Sequence, residues 1–286
     1  DQGQRRLANN SVAYTEKPDF EAYLNEMRNL YESKAGERGL FSRIAAQKIA
    51  ARNGRRDPDQ DFGTNPCSEI ILRSNEFCNL SEVVVRADDT LETLKRKTRI
   101  ATIIGTLQST LTDFRYLRVR WKRNTEEEAL LGVSLTGIMD HAVLGHESAQ
   151  LEQWLNEMRE VSVETNKEWA EKLGIAQSAA ITCVKPSGTV SQLVDSASGI
   201  HPRFSKHYIR RVRSDKKDPL ALYMEQAGFP VEQDVMSPSS VVFSFPVKSP
   251  ESSTCVKEVG AMQQLGLWKA YQNHWCEHKP SVTVYY

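Results

Sequence analysis

The chain has 286 residues, enough for one large domain or two small ones, and 40% of them are hydrophobic, enough for a real core. Its 37 basic and 37 acidic residues give a formal charge of +0, so no long-range field recruits nucleic acid or an anionic membrane, and any phosphate recognition must be local. No run of eighteen apolar residues occurs, and the first thirty residues lack a secretory pattern, so the expected setting is cytoplasmic.

In chain order, residues 18–33 carry Phe20, Tyr23, Leu24, Met27, Leu30 and Tyr31 at helical spacing, with Pro18 suited to a first turn and Gly36 to an ending. A second helix is predicted over 41–51, followed by a loop rich in Gly, Asp, Arg and Pro over 53–64. Short β-rich runs at 69–72 and 82–85 bracket Cys78. Helices are then predicted over 91–121, 126–144 and 151–173, broken near Asn124 and at 145–147. In the middle one Leu130, Leu131, Val133, Leu135 and Ile138 mark a buried element. Strands follow at 179–184, 207–213 and 241–247, then a helix over 252–274 and a terminal strand over 281–286. Strands separated by helices predict an α/β fold with a largely parallel sheet or barrel. The first residue is Asp1 and the last strand has no terminator, so the chain reads as a piece of something larger.

Two stretches carry chemistry. Asn65-Pro66-Cys67-Ser68-Glu69 crowds a carboxamide, a thiol and a carboxylate around one proline, and Cys78 follows in Phe77-Cys78-Asn79-Leu80-Ser81-Glu82. On an extended segment Asn65, Cys67 and Glu69 share a side and converge on one small ligand. Equally, Cys67 is a buried structural thiol, Glu69 a solvated strand residue and Asn65 a turn former. The second stretch, Cys183-Val184-Lys185-Pro186-Ser187-Gly188-Thr189, lies where a strand ends and a helical turn begins. Its small residues and hydroxyls suit a phosphate at a helix start, and they suit equally an ordinary N-cap by Ser187 or Thr189. The other cysteines, Cys183, Cys255 and Cys276, sit among apolar neighbours and read as packing residues; no Cys/His spacing suits zinc. In a reducing compartment the five cysteines should be free thiols unless catalysis oxidises them.

Asn-Pro-Cys-x-Glu, the second cysteine in Phe-Cys-Asn-Leu-x-Glu-Val-Val-Val and the later Lys-Pro-Ser-Gly-Thr resemble the catalytic core of ribonucleotide reductase, in its adenosylcobalamin-dependent class II form. Leu131-Gly132-Val133-Ser134-Leu135-Thr136-Gly137 and Gly199-Ile200-His201-Pro202 fit too, so the resemblance covers about residues 5–286. It implies a ten-stranded α/β barrel with the radical cysteine on a central finger loop, this chain being its C-terminal portion. Cys67 becomes a thiyl radical that takes hydrogen from C3′ of the ribose, Glu69 acts as general base on the 3′-hydroxyl, and Asn65 orients the ribose hydroxyls. Cys78 is one of two thiols that reduce C2′ and end as a disulfide. Pro186, Ser187, Gly188 and Thr189 cradle the phosphates of a ribonucleoside di- or triphosphate.

Adenosylcobalamin is the implied cofactor and a thioredoxin-type protein the implied reductant. No cysteine precedes Cys67, so the partner thiol of Cys78 is expected from a complementary N-terminal segment. Arg5-Arg6-Leu7-Ala8-Asn9-Asn10-Ser11 is expected near a loop that senses effector nucleotides, and His201 either lines the site or caps and packs. The alternatives are a class I large subunit, for which Tyr285-Tyr286 would relay a radical from a partner subunit, and a nucleotide-binding remnant without catalysis.

Overall fold

The computed structural model describes residues 10–34, 36 and 38–285. Most of the segment expected near an effector loop, and Tyr286 of the terminal tyrosine pair, lie outside the described residues.

Strand β1 (Asn10–Tyr14) pairs in parallel with β2 (Arg38–Ser42), across helix α1 (Phe20–Ser33). Asp19 caps α1 by accepting from the Ala22 amide at 2.7 Å, so Pro18 stands just outside the helix. Arg38 Nε reaches Glu26 Oε1 at 2.6 Å and fastens α1 to β2. Ser42 then caps α2 (Arg43–Ala51), and Phe41, expected in this helix, belongs to β2. A loop runs to β3 (Gly63–Thr64), whose antiparallel partner β4 (Ile71–Leu72) is shorter than the run expected at 69–72.

The centre of the molecule is β5 (Asn79–Val84) and β6 (Leu131–Thr136), parallel and joined through α3 (Leu91–Gln108) and α4 (Val119–Glu128). Residues 126–144 are therefore not one helix: α4 ends at Glu128 and a strand follows. All six residues of β6 are buried, so both faces are apolar and no alternation betrays a strand. Ala129, at φ +40°, ends α4, and Gly137, at φ +84°, turns the chain where a Cβ would come within 2.5 Å of the Val85 carbonyl oxygen. The helical break expected near Asn124 lies instead at 109–118, because the Ser109 and Thr110 hydroxyls donate to the carbonyls of Thr106 and Leu107 at the end of α3.

The long α5 (Ala149–Leu173) packs on α3, and the chain then returns along the free edge of β6. There the Leu131 and Val133 amides donate to the carbonyls of Ala180 and Ile181 at 3.1 and 2.8 Å, and the Cys183 amide returns a bond to Val133 at 3.1 Å. After α6 (Val190–Leu193), a single turn, comes an antiparallel sheet of β7 (His207–Asp215), β8 (Val231–Gln233) and β9 (Ser240–Lys248), in the order β7-β9-β8, with α7 (Pro219–Gln226) between β7 and β8. The expected predominance of parallel pairing thus fails here. The last helix, α8 (Ala261–His274), starts nine residues later than the 252 expected, after Gly260 as N-cap. Residues 281–285 form no strand: Pro280 makes an isolated bridge to Val184, with the Ser281 amide donating to the Val184 carbonyl at 2.9 Å, but Pro186, two residues on, has no N–H to continue the ladder and the Thr283 amide donates to His201 instead.

The main core gathers on the helix side of β6, where Val133, Leu135, Leu155, Met158, Tyr271 and Trp275 pack together. Tyr271 Oη donates to the Leu144 carbonyl at 3.0 Å and Trp275 Nε1 to the Cys183 carbonyl at 2.8 Å, so both large aromatics bury their polar atoms satisfied. A second knot is ionic. Arg56 meets Glu128 Oε2 at 2.6 Å, Glu76 Oε2 at 3.3 Å and the Ile71 carbonyl at 2.9 Å, while Arg73 Nε joins Glu76 at 3.2 Å. It holds the 53–62 loop, β4 and the end of α4 together.

His278 is fully buried, with Nε2 donating to the Leu131 carbonyl at 3.0 Å and Nδ1 accepting from the Ile71 amide at 3.4 Å. Burial, with the Arg56 charge adding, pushes its pKa down to about 3. The unfolded chain binds this proton near pH 6.5 and the folded chain does not, so its contribution to stability is present above that pH and lost as pH falls toward 3. Between pH 7.5 and 5 the loss from this group is about 2 kcal/mol. Urea unfolding at a series of pH values checks it: the dependence should flatten in His278→Gln, and an unchanged slope would exclude the assignment.

Candidate active site

Asn65, Pro66, Cys67 and Ser68 form a turn and not an extended segment. The Ser68 amide donates to the Asn65 carbonyl at 3.0 Å, and Ser68 takes the left-handed conformation at φ +63°. The expected sharing of one side by three residues is therefore corrected. Cys67 stands exposed on the turn, while Glu69 is fully buried beneath it. Asn65 does converge with the acid: its Nδ2 donates to Glu69 Oε1 at 2.7 Å, while its Oδ1 accepts from the Ile70 amide at 3.0 Å. One side chain thus shapes the turn and orients the carboxylate.

Lys185 completes this group. Its Nζ donates to the same Glu69 Oε1 at 2.9 Å, and its backbone amide donates to Ser134 Oγ at 2.8 Å. Both donors crowd one oxygen, so Glu69 Oε2 is buried without a hydrogen-bond partner. Burial opposes the Lys185 charge, but Glu69, and less strongly Cys67, hold the ammonium above the ordinary lysine range. Sequence reasoning passed over Lys185 as a member of the site, although it opens the Lys-Pro-Ser-Gly-Thr motif.

Cys78 sits immediately before β5, half-buried against Leu72, Leu130, Ala179 and Ala180. Burial pushes its thiol up to about 12, the Glu69 charge adding and Lys185 offsetting part, so it stays protonated across the physiological range. Cys183, Cys255 and Cys276 are buried, as their apolar neighbours foretold. His201 takes the capping alternative: Nδ1 donates to the Ser198 carbonyl at 2.9 Å and Nε2 accepts from the Thr283 amide at 2.9 Å.

Pro186, Ser187, Gly188 and Thr189 line a cavity of about 430 Å³ together with Leu80, Ser81 and Glu82 of β5, Ser134 of β6, and Lys185. The helix after this turn is a single turn of four residues whose N-cap Thr189 makes no side-chain bond, so a helix dipole gives the turn little. Ser187 does the capping, accepting from the Ser191 amide at 3.1 Å while donating to Glu82 Oε2 at 2.8 Å. Gly132 keeps this face open: a Cβ there would meet Leu80 at 2.4 Å and Ile70 at 3.2 Å. Asn65, Pro66 and Ser68 instead border a second cavity of about 570 Å³, with Phe41, Arg43 and Thr64. Lys185 links the two motifs, lining the first cavity and reaching the acid under the turn. No group of three or more metal-ligating side chains, and no helix long and apolar enough to cross a membrane, occurs among the described residues.

No protein-family model matches the chain. It is 29% identical over 255 residues to an adenosylcobalamin-dependent ribonucleoside-triphosphate reductase of Euglena gracilis, covering 87% of this chain and 34% of that protein. It is 28% identical over 318 residues to a protein of the same description from Lacticaseibacillus paracasei, covering 98% of this chain and 41% of the relative. The fold is shared with a solved B-12 dependent (class II) ribonucleotide reductase at a TM-score of 0.68 and 19% identity, over 96% of this chain and 46% of that one. The chain thus spans less than half the length of these relatives, and its resemblance to the ribonucleotide reductase catalytic subunit runs through most of its own length.

Because Lys185 is the cation that reaches the buried Glu69, Lys185→Met should destabilise the fold by about 2 kcal/mol, less than a fully buried pair since the lysine is one-third exposed. Adding Glu69→Gln should restore part of that loss. A double-mutant cycle by urea unfolding measures the coupling, and strictly additive effects would contradict the pairing.

Proposed function

We propose that this chain is the portion of a ribonucleotide reductase catalytic barrel that carries the radical thiol, acting in the reduction of ribonucleoside triphosphates to 2′-deoxyribonucleotides. The observation that carries this reading is the 2.9 Å bond from Lys185 to Glu69, which brings the Asn65-to-Glu69 turn and the 186–189 turn into one site with Cys78 alongside. Similarity to proteins described as adenosylcobalamin-dependent ribonucleoside-triphosphate reductases favours the triphosphate as substrate.

In this reading the substrate's phosphates lie along Pro186, Ser187, Gly188 and Thr189, where the cavity supplies hydroxyls and the Lys185 charge. Cys67, as a thiyl radical, takes the C3′ hydrogen, an exchange kept reversible by the weak S–H bond. Glu69 Oε2, the buried oxygen left without a hydrogen bond by Asn65 and Lys185, accepts the 3′-hydroxyl proton once substrate is seated. The C2′–O bond breaks and the hydroxyl leaves as water, taking its proton from one of the two reducing thiols. Cys78 and a second thiol supply the two electrons and the hydrogen that C2′ gains and become a disulfide, Glu69 returns its proton to the 3′ oxygen, and the hydrogen on Cys67 returns to C3′. The high pKa of Cys78 suits a thiol that keeps its proton until this step. A thioredoxin-type dithiol then reduces the disulfide by exchange.

The ten-stranded barrel, with Cys67 on a finger loop at its centre, belongs to this proposal. It is supported by the parallel β5–β6 pair flanked by residues 180–184, and by the shared fold of the class II structure. So does a complementary N-terminal segment bringing the second thiol, and a cytoplasmic setting in which these thiols stay reduced. The residues present fit adenosylcobalamin at the turn. Cys67 is exposed, and the adjoining cavity lined by Phe41, Arg43, Thr64, Asn65 and Pro66 would hold the cofactor's adenosyl end. When bound, the cofactor supplies a carbon-centred radical.

In the enzyme completed with its complementary segment, Cys67→Ser should reduce deoxynucleotide formation to background while nucleotide binding persists; substantial residual reduction would refute the radical role. Cys78→Ser should block repeated turnover with a dithiol reductant. Activity that ignores adenosylcobalamin and appears with a tyrosyl-radical subunit would replace this reading by the class I one.

A further inference from the structure

Glu82 is the one carboxylate lining the cavity that the proposed function leaves without a role. It projects from the middle of β5 opposite Ser134, and its Oε2 accepts from the Ser187 hydroxyl at 2.8 Å, in the turn proposed to meet phosphates. A carboxylate there opposes a second anion, and the partial burial of the site leaves little water to screen the two. The groups facing Glu82 offset its charge only in part. Lys185, from the neighbouring segment, is hydrogen-bonded to Glu69 at 2.9 Å and partly offsets Glu82 from there. On the helix side, where Glu82 also borders a groove with Arg86 and Lys97, the Lys97 ammonium is held by Asp89 at 2.6 Å and the Arg86 guanidinium donates to the Asp195 carbonyl at 3.0 Å.

We propose that Glu82 couples occupation of this cavity by a phosphate-bearing ligand to the uptake of one proton, so that the neutral carboxyl, and not the carboxylate, shares the turn with the anion. This rests on the reading of residues 186–189 as the phosphate turn. Burial already holds the Glu82 carboxyl above the ordinary glutamate range, with Ser187 and Lys185 opposing, and an added anion pushes in the same direction. Protonated, Glu82 becomes a donor, able to turn its hydroxyl toward a phosphate oxygen. Binding therefore tightens as pH falls, through a group on the protein as well as through the ligand's own protonation. Sequence offers the signal: Glu82 lies in the Cys-Asn-Leu-x-Glu stretch, four residues from Cys78.

The test is isothermal titration of the full chain with inorganic tripolyphosphate, in buffers of different ionisation heat, which counts protons taken up. Wild type should take up about one proton more than Glu82→Gln, and Glu82→Gln should bind roughly tenfold tighter at pH 8, the gap closing toward lower pH. Glutamine retains an acceptor for Ser187, so the turn is kept, and Glu82→Asp should retain the coupling. Equal proton uptake by wild type and Glu82→Gln, or weaker binding by Glu82→Gln, would overturn the inference. Gly188→Asp separates it from the reading beneath it, because a side chain at Gly188 meets nothing within 4 Å and places a charge directly in the turn. Binding abolished by Gly188→Asp, yet with equal proton uptake in the Glu82 variants, leaves the phosphate turn standing and removes only the coupling. No binding by wild type, or binding indifferent to Gly188→Asp, removes both.

Discussion

Hydrogen bonding along both edges of Leu131–Thr136 is the constraint on which the rest of the molecule depends. One edge carries the six-residue parallel ladder to β5, and the other carries the returning chain at 180–183. A strand used on both edges and covered on both faces has no freedom of register: slipping it by one residue would send Leu131, Val133 and Leu135 from the helix side to the cavity side. That fixed register puts Glu82 opposite Ser134, and brings Lys185 onto Ser134 Oγ. Backbone pairing thus sets where the side chains of the site meet.

The charges of the site follow from burial. Glu69 is fully enclosed, and an ionised carboxylate in that position needs partners. Asn65 and Lys185 provide them on a single oxygen, leaving the other buried and unsatisfied, a costly arrangement in a structural ion pair. The ionic knot of Arg56, Arg73, Glu76 and Glu128 is the opposite case, with each carboxylate met by an arginine. It anchors the loop that leads to Asn65 and so keeps the turn in place from behind.

The local grammar of the sequence was largely legible. The helices of 20–33, 91–108 and 149–173 carry apolar spacing and capping residues that act over a few positions, and β7 and β9 carry β-rich runs. Leu130 to Ile138 looks helical because a strand buried on both faces loses its alternation, and only pairing with β5 and residues 180–183 decides its conformation. Residues 281–285 have a strand's composition, but the pairing stops after Ser281 because the opposite chain reaches Pro186, which cannot donate. Asn65 to Glu69 has the alternation of an extended segment, but Ser68 at positive φ makes it a turn.

Sequence by itself determined which reactive residues are present and in what order: the carboxamide, thiol and carboxylate of the first turn, Cys78, and the small-residue turn after Lys185. These are chemical identities, fixed by covalent structure, and their spacing is specific enough to show the resemblance to ribonucleotide reductase. Only the tertiary structure decided which of them meet. Lys185 and Glu69 are 116 residues apart and Ser187 and Glu82 105, and no local periodicity encodes a contact across such distances. Tertiary structure also parted neighbours, exposing Cys67 and burying Glu69 two positions on, because a left-handed residue between them reverses the direction of the chain.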